Sequence, residues 1–485
     1  MGIPRFGYGC YRVENKNKQH FESLYKAVTN GITLIETSAN YSNGGSEILA
    51  GDVLTELLLT DKIKREEITI ITKGGYIQGQ NFTLVQKKKE QGKSFPAVVE
   101  FEKNLWHCIH PDFLEDQIER QLSRLNQIPE EGGYIDVYLL HNPEYYLKSA
   151  KKNQEHYSTA KEEYYKRIKK AFEFLEEKVA KGVIKHYGIS SNTFPLQSNK
   201  YDFTSLSKIY ETANDISASN HFKYIEFPFN FIEFEAQEEK NQDGNSSTLL
   251  KYSENKKINT LANRPLNAVS TKGLLRLTEF ARGEFSEAQF NELTDTALVH
   301  EKEICDILIP MNIADEESIK KLRNLSSFAR TIKSKYKSFG SIEYLSDISE
   351  NYFTPRLKYL RDFTEDNFDE DSLPKLRNYL SIINELIERM KIYYGNKTEK
   401  RSDFLNRIID EHTDEIYHRL TLAQKTLLIL SSVEGVSCVL CGMRKVKYVD
   451  EVTELLKFEK IKNAEEIIRK INSELSKYGI TSINL

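Results

Sequence analysis

Ile32 to Glu47 reads ITLIETSANYSNGGSE, and this stretch decides how the rest of the chain is organised. Thr33-Leu34-Ile35 is a short apolar run, a buried strand, and it ends in an acid, Glu36. A turn follows that carries Tyr41 and then the pair Gly44-Gly45, and a helix opens with Ser46 as its expected cap. A carboxylate and a phenol five residues apart, just past a strand's C-terminal end, sit where α/β barrels place their chemistry. Two further strands end in reactive groups. Ile70-Ile71-Thr72-Lys73-Gly74-Gly75 ends in an ammonium, and Val137-Tyr138-Leu139-Leu140-His141-Asn142-Pro143-Glu144 in an imidazole.

Outward from this stretch, Arg5 to Val183 alternates strand and helix. Arg5 to Cys10 is a first strand, and Lys18 to Thr29 a helix whose stripe is Phe21, Leu24, Tyr25 and Val28, stopped by Asn30-Gly31. Further strands are expected over 68–72, 135–140, 186–190, 224–227 and 258–262, with helices over 111–125 and 158–181. Gly74 to His110 reads as a long loop with a solvated lysine run, Lys87-Lys88-Lys89. Its aromatics Phe82, Phe95, Phe101 and Trp106 fit plain packing and a substrate wall at the barrel mouth equally well.

From Gly283 to Tyr417 glycine nearly vanishes and 3.6-period stripes take over, such as Leu376, Tyr379, Leu380, Ile383, Leu386, Ile387 and Met390. A helix over 421–431, a strand over 437–441 and two closing helices then restore the α/β pattern. Eight strands close if the helical block interrupts the last unit. The expected fold is therefore an α/β (β/α)8 TIM barrel with a helical insertion between strands 7 and 8. Its parts are residues 1–282 with strands 1–7, the insertion 283–417, and 418–485 completing the barrel. The insertion reads as a lid, or as a surface for a protein partner or self-association, while a core of its own accounts for its stripes.

Composition excludes several classes. The net charge of −4 over 485 residues leaves no electrostatic footprint for nucleic acid. No apolar run approaches the ~18 residues of a membrane helix. MGIPRFGYGCYR lacks a secretory apolar region, and Phe6 rules out the myristoylation pattern after Gly2. Five scattered cysteines then read as reduced and cytoplasmic. Cys438 and Cys441 lie three apart on a strand and point to opposite faces, which argues against a shared metal. His107 and His110 read as a polar loop, and no metal site is expected.

An acid, a phenol, an ammonium and an imidazole make chemical sense together. A tyrosine with a pKa of ~10 is a poor proton donor at neutral pH, and a neighbouring Lys73 cation is expected to lower that value. Glu36 can hold Lys73 by a charge-assisted bond, and His141 can orient a carbonyl oxygen. None of them carries a hydride, so the set works if a nicotinamide supplies the hydride and Tyr41 the proton. Singly, each residue reads as packing, a surface charge or a satisfied strand end.

Ile35 to Tyr41, Thr72 to Gly75, Leu139 to Pro143, Tyr187-Gly188-Ile189-Ser190-Ser191-Asn192 and Val436 to Val449, in this order, resemble the aldo-keto reductase superfamily. The resemblance covers Gly2 to about Ala281 and Leu420 to about Lys457. It implies a barrel that binds NAD(P)H across its C-terminal face and reduces small aldehydes or ketones. By motif, Tyr41 is the general acid, Lys73 its modulator and His141 the carbonyl-orienting residue, and Glu36 stands where the family has Asp. Ser191 and Asn192 match the residues that hold the nicotinamide carboxamide. Glu226 stands where Gln is usual beneath the ring, and Asn263 replaces a stacking aromatic. Arg264, Pro265, Leu266 and Asn267 match the pyrophosphate loop. Gly442, Met443, Arg444, Tyr448 and Glu451 match the adenosine end. Met443 and Tyr448 replace Ser and Arg of many NADP-preferring members, yet Arg444 and Lys445 can meet a 2′-phosphate, so NADP(H) is expected over NAD(H). Glu36, Glu226 and Asn263 motivate an alternative, a catalytically weak binding or regulatory protein that engages a partner through its insertion. A non-redox barrel that binds another ligand is a third reading.

Overall fold

A computed structural model describes residues 3–280 and 282–483; Gly2 and Ala281, two ends given above for the resembling segment, lie outside them. The eight barrel strands are β1 Phe6–Gly9, β2 Leu34–Glu36, β3 Thr69–Gly74, β4 Ile135–His141, β5 Ile184–Ser190, β6 Phe222–Pro228, β7 Asn259–Asn263 and β8 Cys438–Cys441. They hydrogen-bond in the closed order β1-β8-β7-β6-β5-β4-β3-β2, every neighbouring pair parallel. Between β7 and β8 the chain runs through a hairpin, Asn267–Ser270 with Gly273–Arg276, and then a series of helices. This is the TIM barrel with a large helical insertion that the sequence predicted. Among the described residues no helix is long and apolar enough to cross a membrane.

The chain forms two compact units, Met1–Gly273 with His412–Leu485, and Leu274–Glu411. In the first, alternate strand residues fill the barrel interior: Leu34, Ile71, Val137, Leu139, Tyr224, Leu261, Cys438 and Leu440 form one apolar cluster. In the second, the 40-residue helix Ser372–Glu411 contributes Leu376, Ile383 and Met390 to a core shared with Phe290, Leu322 and Phe328. Buried Glu301 is satisfied there by the Tyr379 hydroxyl at 2.9 Å, the Ala329 amide at 2.7 Å and Arg330 Nε at 2.7 Å.

Three local expectations are corrected. Gly74 to His110 is not a loop. It holds the helix Gly79–Glu90 and a three-stranded antiparallel sheet of Tyr76–Ile77, Leu105–His107 and Val99–Glu102. The helix is pinned through buried Asn81, which donates to Gln117 at 3.0 Å, and its lysines are paired, Lys88 to Asp116 and Lys89 to Glu100. Ser46 does not cap its helix. The cap is Gly44, and Ser46 lies buried in the first turn with its hydroxyl 2.5 Å from that of Thr37. His107 is buried on a strand, and His110 caps the helix Pro111–Arg124 by accepting from the Asp112 amide.

Gly188 in β5 is a close-approach position, since a Cβ there would stand 1.9 Å from the Tyr224 carbonyl oxygen of β6. Gly188→Ala should destabilise the barrel by about 2–3 kcal/mol in a urea titration. Gly442→Ala, where a Cβ meets nothing within 4 Å, should leave stability unchanged.

Candidate active site

The site follows from strand periodicity. Leu34, Ile71, Leu139, Tyr224 and Leu261 face the barrel interior, so the residues two positions on, Glu36, Lys73, His141, Glu226 and Asn263, share that face at the C-terminal end. Lys73 is fully buried. Its Nζ lies 2.5 Å from Glu36 Oε1, and 2.7 and 2.8 Å from the two Glu226 oxygens. Asn263 Nδ2 donates to Glu226 Oε1 at 2.8 Å. Lys73 Nζ stands 5.3 Å from the centroid of the Tyr41 ring. The His141 ring stands edge-on to that of Tyr41, centroids 6.0 Å apart, with Nδ1 3.1 Å from Ser38 Oγ. The predicted acid, phenol, ammonium and imidazole are thus brought together, with Glu226 as a fifth member.

Tyr41 is aimed by its turn. Ser42, Asn43 and Gly44 are consecutively left-handed, at φ 46°, 55° and 89°. Only glycine adopts this freely, and asparagine tolerates it. Two hydrogen bonds hold the turn, Ser42 Oγ to the Val13 carbonyl at 2.6 Å and the Gln80 amide to Asn43 Oδ1 at 2.7 Å. The second comes from the helix Gly79–Glu90. The small sheet also supports His141. His107 Nε2 donates to the His141 carbonyl at 2.7 Å, and the Tyr76 ring stands edge-on to His141 at 4.6 Å. Burial lowers the His107 pKa to about 4, so its ring is neutral.

The charges interact strongly. Burial works against the Lys73 ammonium, but Glu226 and Glu36 outweigh it and hold the pKa well above the usual lysine value. Burial pushes Glu36 up to about 7 against the pull of Lys73, and Glu226 adds to the rise. Burial and then the Lys73 cation keep His141 neutral. Lys73 pulls the Tyr41 phenol down, as expected, but does not prevail. Burial and then Glu36 raise the phenol well above its ordinary value, and Lys73 opposes them only in part.

The residues matched to a cofactor lie after β5 to β8. Ser191 Oγ donates to buried Glu144 at 2.9 Å, whose other oxygen accepts from the Asn192 amide at 3.1 Å. Arg264 bonds Glu233 at 2.8 Å, Pro265 and Leu266 complete the turn, and Asn267 is exposed at the start of the hairpin. Gly442 is exposed. Met443 is buried, and its carbonyl accepts from Ser23 at 2.7 Å and Tyr8 at 3.0 Å. Arg444 is half-buried, and the helix Val446–Glu454 carries exposed Tyr448 and half-buried Glu451. Sequence reasoning missed the Glu226–Lys73 bond, the His107 strut and the Glu144 anchor. The two-residue period beyond Tyr224 was the one signal for the first of these; the other two depend on long-range contacts.

A model of the Aldo/keto reductase family matches residues 5–287. A curated relative, the NADH-specific methylglyoxal reductase of Escherichia coli strain K12, is 25% identical over 120 residues. The match spans 25% of this chain and 30% of that protein. Among solved structures, an aldo-keto reductase from Bacillus halodurans in its holo form is 13% identical at a TM-score of 0.47, with 97% of this chain and 92% of that one covered. A glycerol dehydrogenase from Gluconobacter oxydans is 13% identical at a TM-score of 0.45, with the same coverage of 97% and 92%.

Because Glu36 ionises near 7 when folded and near 4.5 in its ordinary state, the folded chain holds the extra proton between those values. Stability from this group is therefore full below about pH 4.5, falls as pH rises to about 7 and is level above that. Glu36→Gln should gain on the wild type by on the order of 2–3 kcal/mol between pH 4.5 and 8 in unfolding titrations. An unchanged difference would show that Glu36 ionises normally.

Proposed function

The chain belongs to the Aldo/keto reductase family, and from that premise we propose that it is an NAD(P)H-dependent oxidoreductase that reduces an aldehyde or ketone with Tyr41 as proton donor. The observation that carries this reading is the convergence of Tyr41, Lys73, Glu36 and His141, from the ends of three different strands and the turn after β2, on one buried point. A nicotinamide, when bound, supplies the hydride. Tyr41 keeps its proton at neutral pH and gives it to the carbonyl oxygen as negative charge develops there. Lys73, whose ammonium stands beside the Tyr41 ring, stabilises the phenolate left behind. Neutral His141 orients the oxygen through a ring N–H. The His107 bond to its backbone and the Tyr76 ring hold it in place.

The residues present fit a nicotinamide dinucleotide. Asn263 Oδ1, an acceptor beside Glu226, and Arg264 Nε, a donor in the turn after β7, are both buried without a protein partner among the described residues. An amide and a phosphate are the groups that would satisfy such a pair, and the cofactor carries both. Ser191 and Asn192 would flank the amide, Arg264 to Asn267 the pyrophosphate, and Gly442 to Arg444 with Tyr448 and Glu451 the adenosine. Half-buried Arg444 and exposed Lys445 favour NADP(H). All five cysteines are free, which suits the cytoplasm.

The double carboxylate on Lys73 favours a second reading, a nucleotide-binding barrel of low turnover whose unit Leu274–Glu411 engages a partner or a second copy. Tyr41→Phe should lower kcat for carbonyl reduction by at least about a hundredfold, with the calorimetric Kd for the cofactor nearly unchanged. Undiminished reduction by that variant removes Tyr41 from the mechanism. Tight cofactor binding by a wild-type protein that reduces no carbonyl supports the second reading.

A further inference from the structure

Lys73 needs one counter-charge and has two. Glu36 Oε1 lies 2.5 Å from its Nζ, and both Glu226 oxygens lie within 2.8 Å. All three side chains are under 5% exposed. The other groups around them are neutral: the Tyr41 phenol and the His141 imidazole, both held uncharged by burial, and the Asn263 amide. Arg264 pairs with Glu233 and Arg124 with Glu47. With both carboxylates ionised, the layer at the end of the barrel strands holds one negative charge in excess, shielded from water.

We propose that Glu226 makes the barrel mouth select the oxidised, cationic nicotinamide over the reduced, neutral one. This rests on the reading above that the nicotinamide sits against Tyr41, Lys73 and His141. The two forms of the cofactor differ at the ring by one positive charge and share every other group, so the ratio of their affinities reports the charge of the layer. A unit charge within roughly 10 Å, at an effective dielectric near 20, shifts such a ratio tenfold or more. With a glutamine at this position the ammonium and Glu36 cancel and no excess charge remains. Stabilising the oxidised form lowers the reduction potential of the bound pair. Bound NAD(P)H then becomes a stronger hydride donor, and release of the oxidised product becomes slower.

The test is calorimetric titration of the full chain at pH 8, above the point near 7 where Glu36 ionises. The ligands are NADP+ and NADPH, then NAD+ and NADH, against the wild type, Glu226→Gln and Glu226→Asp. The wild type should bind the oxidised form at least about tenfold more tightly than the reduced. Glu226→Gln should cut that ratio about tenfold, and Glu226→Asp, which keeps the charge, should preserve it. A purely structural role would weaken both forms alike and leave the ratio unmoved, and that result in folded Glu226→Gln overturns the proposal. A wild-type ratio at or below one overturns it even where the variants fail to fold. Failure of the folded wild type to bind either form defeats the cofactor reading itself and the proposal with it.

Discussion

A lysine ammonium with no exposure to water is the constraint around which the barrel's C-terminal end is built. Desolvating an isolated ammonium costs several kcal/mol even after relaxation, and such a lysine would ordinarily lose its proton. Lys73 keeps it because β2 brings Glu36 and β6 brings Glu226 into contact with the same nitrogen. Both carboxylates are in turn buried, and the cation pulls against the rise that burial imposes on Glu36. The three are therefore interdependent. They tie β2, β3 and β6 together at the end where Tyr41 and His141 stand, and breaking one pair leaves a buried charge less fully paired.

That arrangement follows from two simple geometric rules. Parallel strands in a closed sheet align their C-terminal ends, and alternate residues face inward. Interior Leu34, Ile71, Leu139, Tyr224 and Leu261 fill one layer, and polar residues two positions on form the next. Apolar filling below keeps water out of the charged layer, and this gives the ion pairs their strength and the phenol its reluctance to ionise. The small sheet after β3 seals the same layer from the side by bonding the His141 backbone through neutral His107.

The strands, the barrel and four members of the site were legible because each is written locally: an apolar run, then a reactive residue at its end. The second carboxylate on Lys73 was not. Glu226 lies 153 residues further along, and nothing in Tyr224-Ile225-Glu226-Phe227 says which lysine it faces. The resemblance placed it beneath a nicotinamide ring and said nothing of Lys73. The sheet within 74–110 was hidden for a different reason. Its strands run two to four residues, and half of the strand Val99–Glu102 is glutamate, too short and too charged for periodicity to register. Ser46 misled because a serine before an apolar run is the usual cap signal, whereas three successive left-handed residues moved the cap back to Gly44.

The double carboxylate also changes what Lys73 contributes. A lysine with one partner lends its remaining charge to a neighbouring phenol and draws it toward the phenolate. Here burial and then Glu36 outweigh that pull, and Tyr41 stays protonated across the physiological range. The phenol therefore gives up its proton only to a strong base. Within this layer Glu36, and not Tyr41, titrates near neutral pH, so pH acts on the charge of the layer and leaves the phenol protonated.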